Sequence, residues 1–125
     1  MKVFVYFNLH KKIWSIRALS GPRKGLVIAH AQRVNLIEAT FKVSEAGRQR
    51  VLAEKRKNVH AGIVGTWDGH GNPEPWEGAT MGVPVSYNPY KAPTFTRRDD
   101  SSPVHKATLV HLGTRSATAY NIHRN

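Results

Sequence analysis

A chain of 125 residues, 40% of them hydrophobic, has the length of one domain (1–125) and can bury a modest core without covalent staples. It contains no cysteine, which excludes disulfides and thiolate metal sites. Its 19 Lys and Arg against 8 Asp and Glu give a net charge of +11, and no apolar run approaches the roughly 20 residues that span a bilayer, so a soluble intracellular protein with no membrane partner is expected.

The chain opens on Lys2 to Phe7 (KVFVYF), where Val3, Val5 and Phe7 alternate with Phe4 and Tyr6. These β-branched and aromatic types suit a pleated surface and predict a strand covered wholly or partly on both faces. Asn8 to Lys12 reads as a turn and Ile13 to Ala18 as the returning strand, with Lys11 and Lys12 at the hairpin tip. Ser20 to Gly25 (SGPRKG) is a strong turn signal that exposes Arg23 and Lys24. Leu26 to His30 is a third strand and Val34 to Val43 a fourth, half-buried, with Ile37, Ala39, Phe41 and Val43 on one face.

At Ser44 the strand pattern stops. The stretch 44–64 (SEAGRQRVLAEKRKNVHAGIV) is the one long proline-free segment without alternation and predicts the principal helix. Ser44 suits the N-cap, and Glu45 suits the positive end of the helix dipole. Arg48, Arg50, Lys55, Arg56 and Lys57 follow within about three turns, crowded toward the other end. Only Ala46, Val51, Leu52 and Ala53 offer apolar contact, so a narrow buried stripe and a wide basic face are expected.

Strand character resumes over Asn58 to Trp67, where Gly62 and Gly65 suggest a bulge or a close backbone approach. Asp68 to Gly78 (DGHGNPEPWEG) reads as a long exposed loop. Val83 to Tyr87 is a strand that Pro84 assigns to an edge, Asn88 to Pro93 a turn, and Thr94 to Arg98 a short strand before the turn at Asp99 to Pro103. Lys106 to Leu112 and Ser116 to Ile122 form a final hairpin around Gly113. The sum is an α+β, β-rich single domain: a small twisted or barrel-like antiparallel sheet with one principal helix. Pattern alone does not decide whether the sheet closes.

The charge is unevenly spread. Residues 1–60 hold thirteen Lys and Arg against Glu38, Glu45 and Glu54, whereas residues 61–125 hold six against five. One half carries nearly all of the field, which implies a polyanionic partner: nucleic acid or a host complex that contains it. Such a surface needs cations for phosphates and aromatic faces for unpaired bases. The candidates are Lys11, Lys12, Arg17, Arg23, Lys24, Arg48, Arg50, Lys55, Arg56 and Lys57, with Tyr90 as an aromatic exposed in its turn. Tyr6 and Trp14 lie within strands, where large aromatics are usually core.

Seven histidines raise the alternative of a small metal-independent nuclease, with His60 beside the 55–57 cations and His10 or His30 as its partner. Nothing in the sequence places any two of these together. Metal and cofactor chemistry lack support. His105 and His111 are too far apart along a strand to share an ion, and the Asp68, His70, Asn72 run has no side-chain oxygen at its third position and Ala79 at its twelfth. No phosphate-binding glycine loop or nucleophile elbow occurs. No catalytic residue, metal or cofactor is therefore assigned.

The pieces KVFVYFNLHKK, VSEAGRQRVLAEKRKNVHAGIVG and YNPYKAPTF followed by SPVHKA resemble small accessory proteins of tailed phages and prophages. The resemblance covers most of the chain except the Asp68 to Gly78 loop. It carries no named catalytic signature, so it transfers no site residues. It implies a setting, the cytoplasm of an infected bacterium, where such proteins bind nucleic-acid machinery or block defence nucleases. Two readings follow for that setting: a basic protein that binds DNA, RNA or a ribonucleoprotein and blocks host machinery by occupancy, or a protein-only, anti-CRISPR-like inhibitor with Trp76 or Tyr90 as its anchor. The sequence does not distinguish DNA from RNA or fix the oligomeric state.

Overall fold

Strand alternation organises the whole chain into one antiparallel sheet. The computed structural model describes residues 1–76, 81–114 and 116–123. Its strands are β1 (Lys2–Asn8), β2 (Ile13–Ala18), β3 (Val27–Ala31), β4 (Val34–Val43), β5 (Ala61–Thr66), β6 (Val83–Ser86), β7 (Thr96–Arg97), β8 (Lys106–Gly113) and β9 (Ser116–Ile122), with α1 (Glu45–Glu54) between β4 and β5. They lie in the order β3-β2-β1-β5-β4-β8-β9-β6-β7, so β3 and β7 are the edges of an open sheet. The architecture is the α+β, β-rich sheet with one helix that the pattern predicts.

The sheet rolls up without closing. Four strand spacings separate β2 from β8, which would amount to about 19 Å in a flat sheet. Yet the indole N–H of Trp14 on β2 donates to the carbonyl of Gly113 on β8 at 2.8 Å. Rolling turns one face inward, and there Val5, Ile16, Leu36, Ile63, Val110 and Leu112 are buried to 1% exposure or less. Phe41 of β4 meets Phe95, which precedes β7, with ring centroids 5.0 Å apart. Where the two limbs fail to meet, a cleft of about 590 Å³ remains between Phe7, Trp14 and Ile63 on one side and Val85, Phe95 and Thr118 on the other.

Several expectations change in detail. Ile37 is 40% exposed rather than sharing the inner face with Ala39 and Phe41, because a bulge between Ile37 and Thr40 shifts the alternation. The extra residue is Glu38, at φ 51°. Gly65 lies opposite: a Cβ there would stand 3.1 Å from the Leu36 Cβ, so the close approach expected of Gly65 is real and the bulge belongs to the partner strand. Pro84 is one strand in from the edge. Its carbonyl accepts from Arg98, so its missing N–H faces the side where the two-residue β7 runs out.

The helix is shorter than the cation run. It ends at Glu54, and Lys55 adopts the left-handed conformation (φ 55°) with its N–H on the Val51 carbonyl, so Lys55, Arg56 and Lys57 extend beyond the helix instead of lying on its face. Geometry requires this stop. Val43 and Ala61 are paired across β4 and β5, so the chain must return to where it left. Ten helical residues rise about 15 Å. The six non-helical residues from 55 to 60 cover that distance, whereas a helix run on to Lys57 would leave too few. The buried stripe is Gly47 and Val51, with Ala46 and Ala53 exposed.

The 68–76 part of the long loop is exposed, as expected, but tied down; residues 77 and 78 lie outside the described residues. Asn72 Oδ1 accepts from the amides of Gln32 and Arg33, Asn35 Nδ2 donates to the Glu74 carbonyl, and the Trp76 indole donates to the Val110 carbonyl. The loop thereby covers the outer face of β4 and β8 and buries His111, whose Nδ1 donates to Asn35 Oδ1 at 2.6 Å. Burial first, and the nearby Arg33 charge second, hold the His111 pKa below its ordinary 6.5. Above that value neither state is protonated and stability is complete; as pH falls through the folded pKa, the unfolded chain takes the proton more readily and stability is lost. Thermal melts between about pH 7 and pH 5 should fall, and His111→Gln should make the fall shallower. An unchanged slope in that variant would remove His111 from the account.

Candidate nucleic-acid interface

The elements at one end of the sheet are locked together before any cation is placed. Ser44 Oγ accepts from the Gly47 amide at 3.2 Å, which is the expected N-cap. Gly47 is a glycine because the helix sits against the segment leading into β5: a Cβ there would lie 2.5 Å from the Cβ of His60. Asn58 Nδ2 donates to the Gly47 carbonyl, and Asn58 Oδ1 accepts from His60 Nδ1 at 2.8 Å. With that proton on Nδ1, His60 Nε2 accepts from the Tyr87 hydroxyl at 2.6 Å. Burial pushes the Tyr87 hydroxyl above the usual phenol range, which keeps it a donor. Arg48 completes the lock, with Nε donating to the Pro89 carbonyl at 3.0 Å and a terminal nitrogen to Glu45 at 3.1 Å.

This frame leaves a groove of about 580 Å³ between the segment after α1, the β1–β2 turn and the 87–90 turn. Lys55 and Lys57 line it, with Leu9, Val59, Tyr87 and Tyr90, and no Asp or Glu is among its lining residues. Tyr90 is 60% exposed. Lys11 and Lys12, both exposed, share the turn of Leu9. Of the expected surface, then, Lys11, Lys12, Lys55, Lys57 and Tyr90 gather at one end. Arg50 and Arg56 stand exposed outside the groove lining, and Arg48 is engaged within the fold. Arg23 and Lys24 ride the β2–β3 turn at the opposite end of β2. Arg17 lies on the outer face of β2, beside Phe4 and Tyr6.

The family model of the Mycobacterium phage L5 gene 82 protein matches residues 1–120 of this chain. The chain belongs to that family. The gene 82 protein of Mycobacterium phage L5 itself is 40% identical over 126 aligned residues, covering 94% of this chain and 96% of the relative. No solved structure matches. The resemblance to phage proteins is thus shown, and the match includes the Asp68 to Gly78 loop that the sequence resemblance omits. Among the described residues, no helix is long and apolar enough to cross a membrane.

In this member of the gene 82 family, His60 spends both ring nitrogens on Asn58 and Tyr87. His30, on β3, lies three strands from β5 in the sheet order and bonds Ser15 of the neighbouring β2 at 3.1 Å, and His10 sits on the β1–β2 turn. Trp14 is core, as its strand position predicts, while Tyr6 is half-buried on the outer face. Trp76 is half-buried against β8 and Tyr90 is the more exposed of the two anchor candidates. Sequence reading missed Phe4, Leu9, Lys42 and Val59 as surface-forming residues. One signal for Phe4 was present: a hairpin turning at residues 9–12 sets Phe4 opposite Arg17.

Proposed function

We infer that this protein binds nucleic acid, or a ribonucleoprotein, in the infected bacterial cytoplasm and blocks host machinery by occupying it. The observation that carries the reading is the groove in which Lys55, Lys57 and Tyr90 converge with no carboxylate in the lining. The net charge of residues 1–60 supports it, since thirteen cations against three acids draw a polyanion toward this half. Its mechanism is charge neutralisation: each lysine replaces counterions condensed on a phosphate, and the covered surface is denied to other proteins.

Salt dependence tests it. Affinity for a labelled oligonucleotide should fall steeply as salt rises, and the Lys55→Gln/Lys57→Gln double variant should flatten the logarithmic slope by about 1.5. Both lysines are exposed, so their replacement should leave the fold intact. Binding insensitive to salt, or a slope unchanged by the double variant, would overturn the reading.

A second reading rests on the same groove. Leu9, Val59 and Tyr90 are 43%, 50% and 60% exposed, an apolar rim that suits a protein-only inhibitor of a host defence enzyme. It is favoured if lysate pull-down yields one defined protein in stoichiometric amount that survives nuclease treatment and is lost with Tyr90→Ala.

A further inference from the structure

β1 puts Val3 and Val5 into the core, so Phe4 and Tyr6 alternate to the outer face of the sheet, and the β1–β2 register sets Arg17 beside them. The ring centroids of Phe4 and Tyr6 are 6.0 Å apart, and the guanidinium carbon of Arg17 lies 5.8 Å and 5.5 Å from them. Lys42 and Val43 on β4, with Ser44, Val59 and His60, complete the lining of a cleft of about 430 Å³, which shares Val59 and His60 with the lysine groove.

Arg17 is anomalous there. Its Nε is buried and has no hydrogen-bond acceptor, and Arg17 forms no ion pair among the described residues. No Asp or Glu lines the cleft, and Lys42 adds a second positive charge. The aromatic rings hold the guanidinium in place, but they accept neither its protons in ordinary hydrogen bonds nor its full charge. An anion in the cleft supplies the countercharge and acceptors for the terminal nitrogens, which have no protein partner among the described residues.

We propose that this cleft is a subsite for one nucleotide of an unpaired nucleic-acid strand. The phosphate takes the Arg17 guanidinium with Lys42 as the second cation, and the base lies against the aromatic face of Tyr6 and Phe4. A duplex keeps its bases stacked on one another and presents a convex backbone, so it reaches neither the rings nor the recessed guanidinium. The groove lysines Lys55 and Lys57, which meet phosphates, do not make that distinction. The inference rests on the nucleic-acid reading above and deepens it by naming the strand state.

Fluorescence anisotropy with a labelled oligothymidylate of about twelve nucleotides, a duplex of the same length and free thymidine monophosphate as competitor tests it. The full chain should prefer the single strand. Arg17→Gln should weaken strand binding about tenfold, and Tyr6→Leu should weaken it by a similar factor without changing the salt slope, both leaving the duplex unaffected. Lys42 is exposed, so Lys42→Gln keeps the fold whatever Arg17→Gln does, and it should cost the strand about threefold. Monophosphate that displaces the strand at matching affinity would reassign the cleft to a free nucleotide and overturn the strand assignment. Equal strand and duplex affinity, insensitive to all three variants yet weakened by the lysine double variant, would overturn the cleft while keeping the groove. Failure of the wild-type chain to bind any probe would overturn both.

Discussion

Replacing Trp14 by alanine is expected to remove about 4 kcal/mol of stability, because a large buried aromatic is lost and the cavity it leaves does not collapse. The site shows where the loss comes from. Trp14 borders the cleft at which the rolled limbs fail to meet, so its removal widens that cleft of about 590 Å³ and lets water into the roll. It also orphans the Gly113 carbonyl across the roll. Against a total of about 5–15 kcal/mol for a chain of this class, that loss leaves the protein marginal. Trp14→Phe separates the contributions: it keeps most of the apolar area beside Phe7 but loses the N–H and the volume of one fused ring, so about 2 kcal/mol is expected. Urea unfolding followed by circular dichroism measures both. A loss below about 1 kcal/mol for Trp14→Ala would mean that the roll is held from elsewhere.

The strands were legible because their burial follows sequence alternation. Val3 and Val5 against Phe4 and Tyr6 can be read without knowing any partner, and so can the hairpin around Gly113. The start of α1 was equally plain, since capping is a contact between residues three apart. What escaped was set by long-range pairing. The end of the helix depends on how far the chain must travel back to set Ala61 beside Val43, and Lys55 carries no glycine or asparagine to mark the left-handed residue. Nothing in the sequence of β4 announces a positive φ at Glu38 either. Its consequence, Ile37 facing out, reverses a face assignment that pure alternation would make.

The same distinction holds at the surface. Charge counting names cations without placing them, and the fold then sorts them into a groove group, an opposite-end pair at Arg23 and Lys24, and Arg48, which serves the frame. Lys42 escaped as a site residue because alternation sets it on the polar face of β4 without saying what lies beside it. Its role depends on β5 lying between β4 and β1, a sheet order that no local pattern encodes.

Gly62 joins the fold to the cleft, and Gly62→Ala is expected to damage both. The backbone makes no demand for glycine at this strand position, so on propensity alone alanine would gain about 0.5–1 kcal/mol. Contact reverses the sign. A Cβ on Gly62 would stand 2.5 Å from the Phe4 Cζ and 2.5 Å from the Val5 carbonyl oxygen. The ring can swing aside, but the carbonyl belongs to β1, whose ladder with β5 would have to give way. The net loss should be about 3 kcal/mol. Displacing Phe4 also removes part of the floor on which Arg17 rests, so on the proposed reading the folded fraction should bind single strands more weakly, as is expected of Arg17→Gln. The Phe4→Ala/Gly62→Ala pair separates the two collisions. Removing the ring relieves one of them and leaves the carbonyl, so Gly62→Ala should cost less in the Phe4→Ala background than alone but should stay destabilising. Full relief would place the whole conflict on the ring and free the backbone of any part in it.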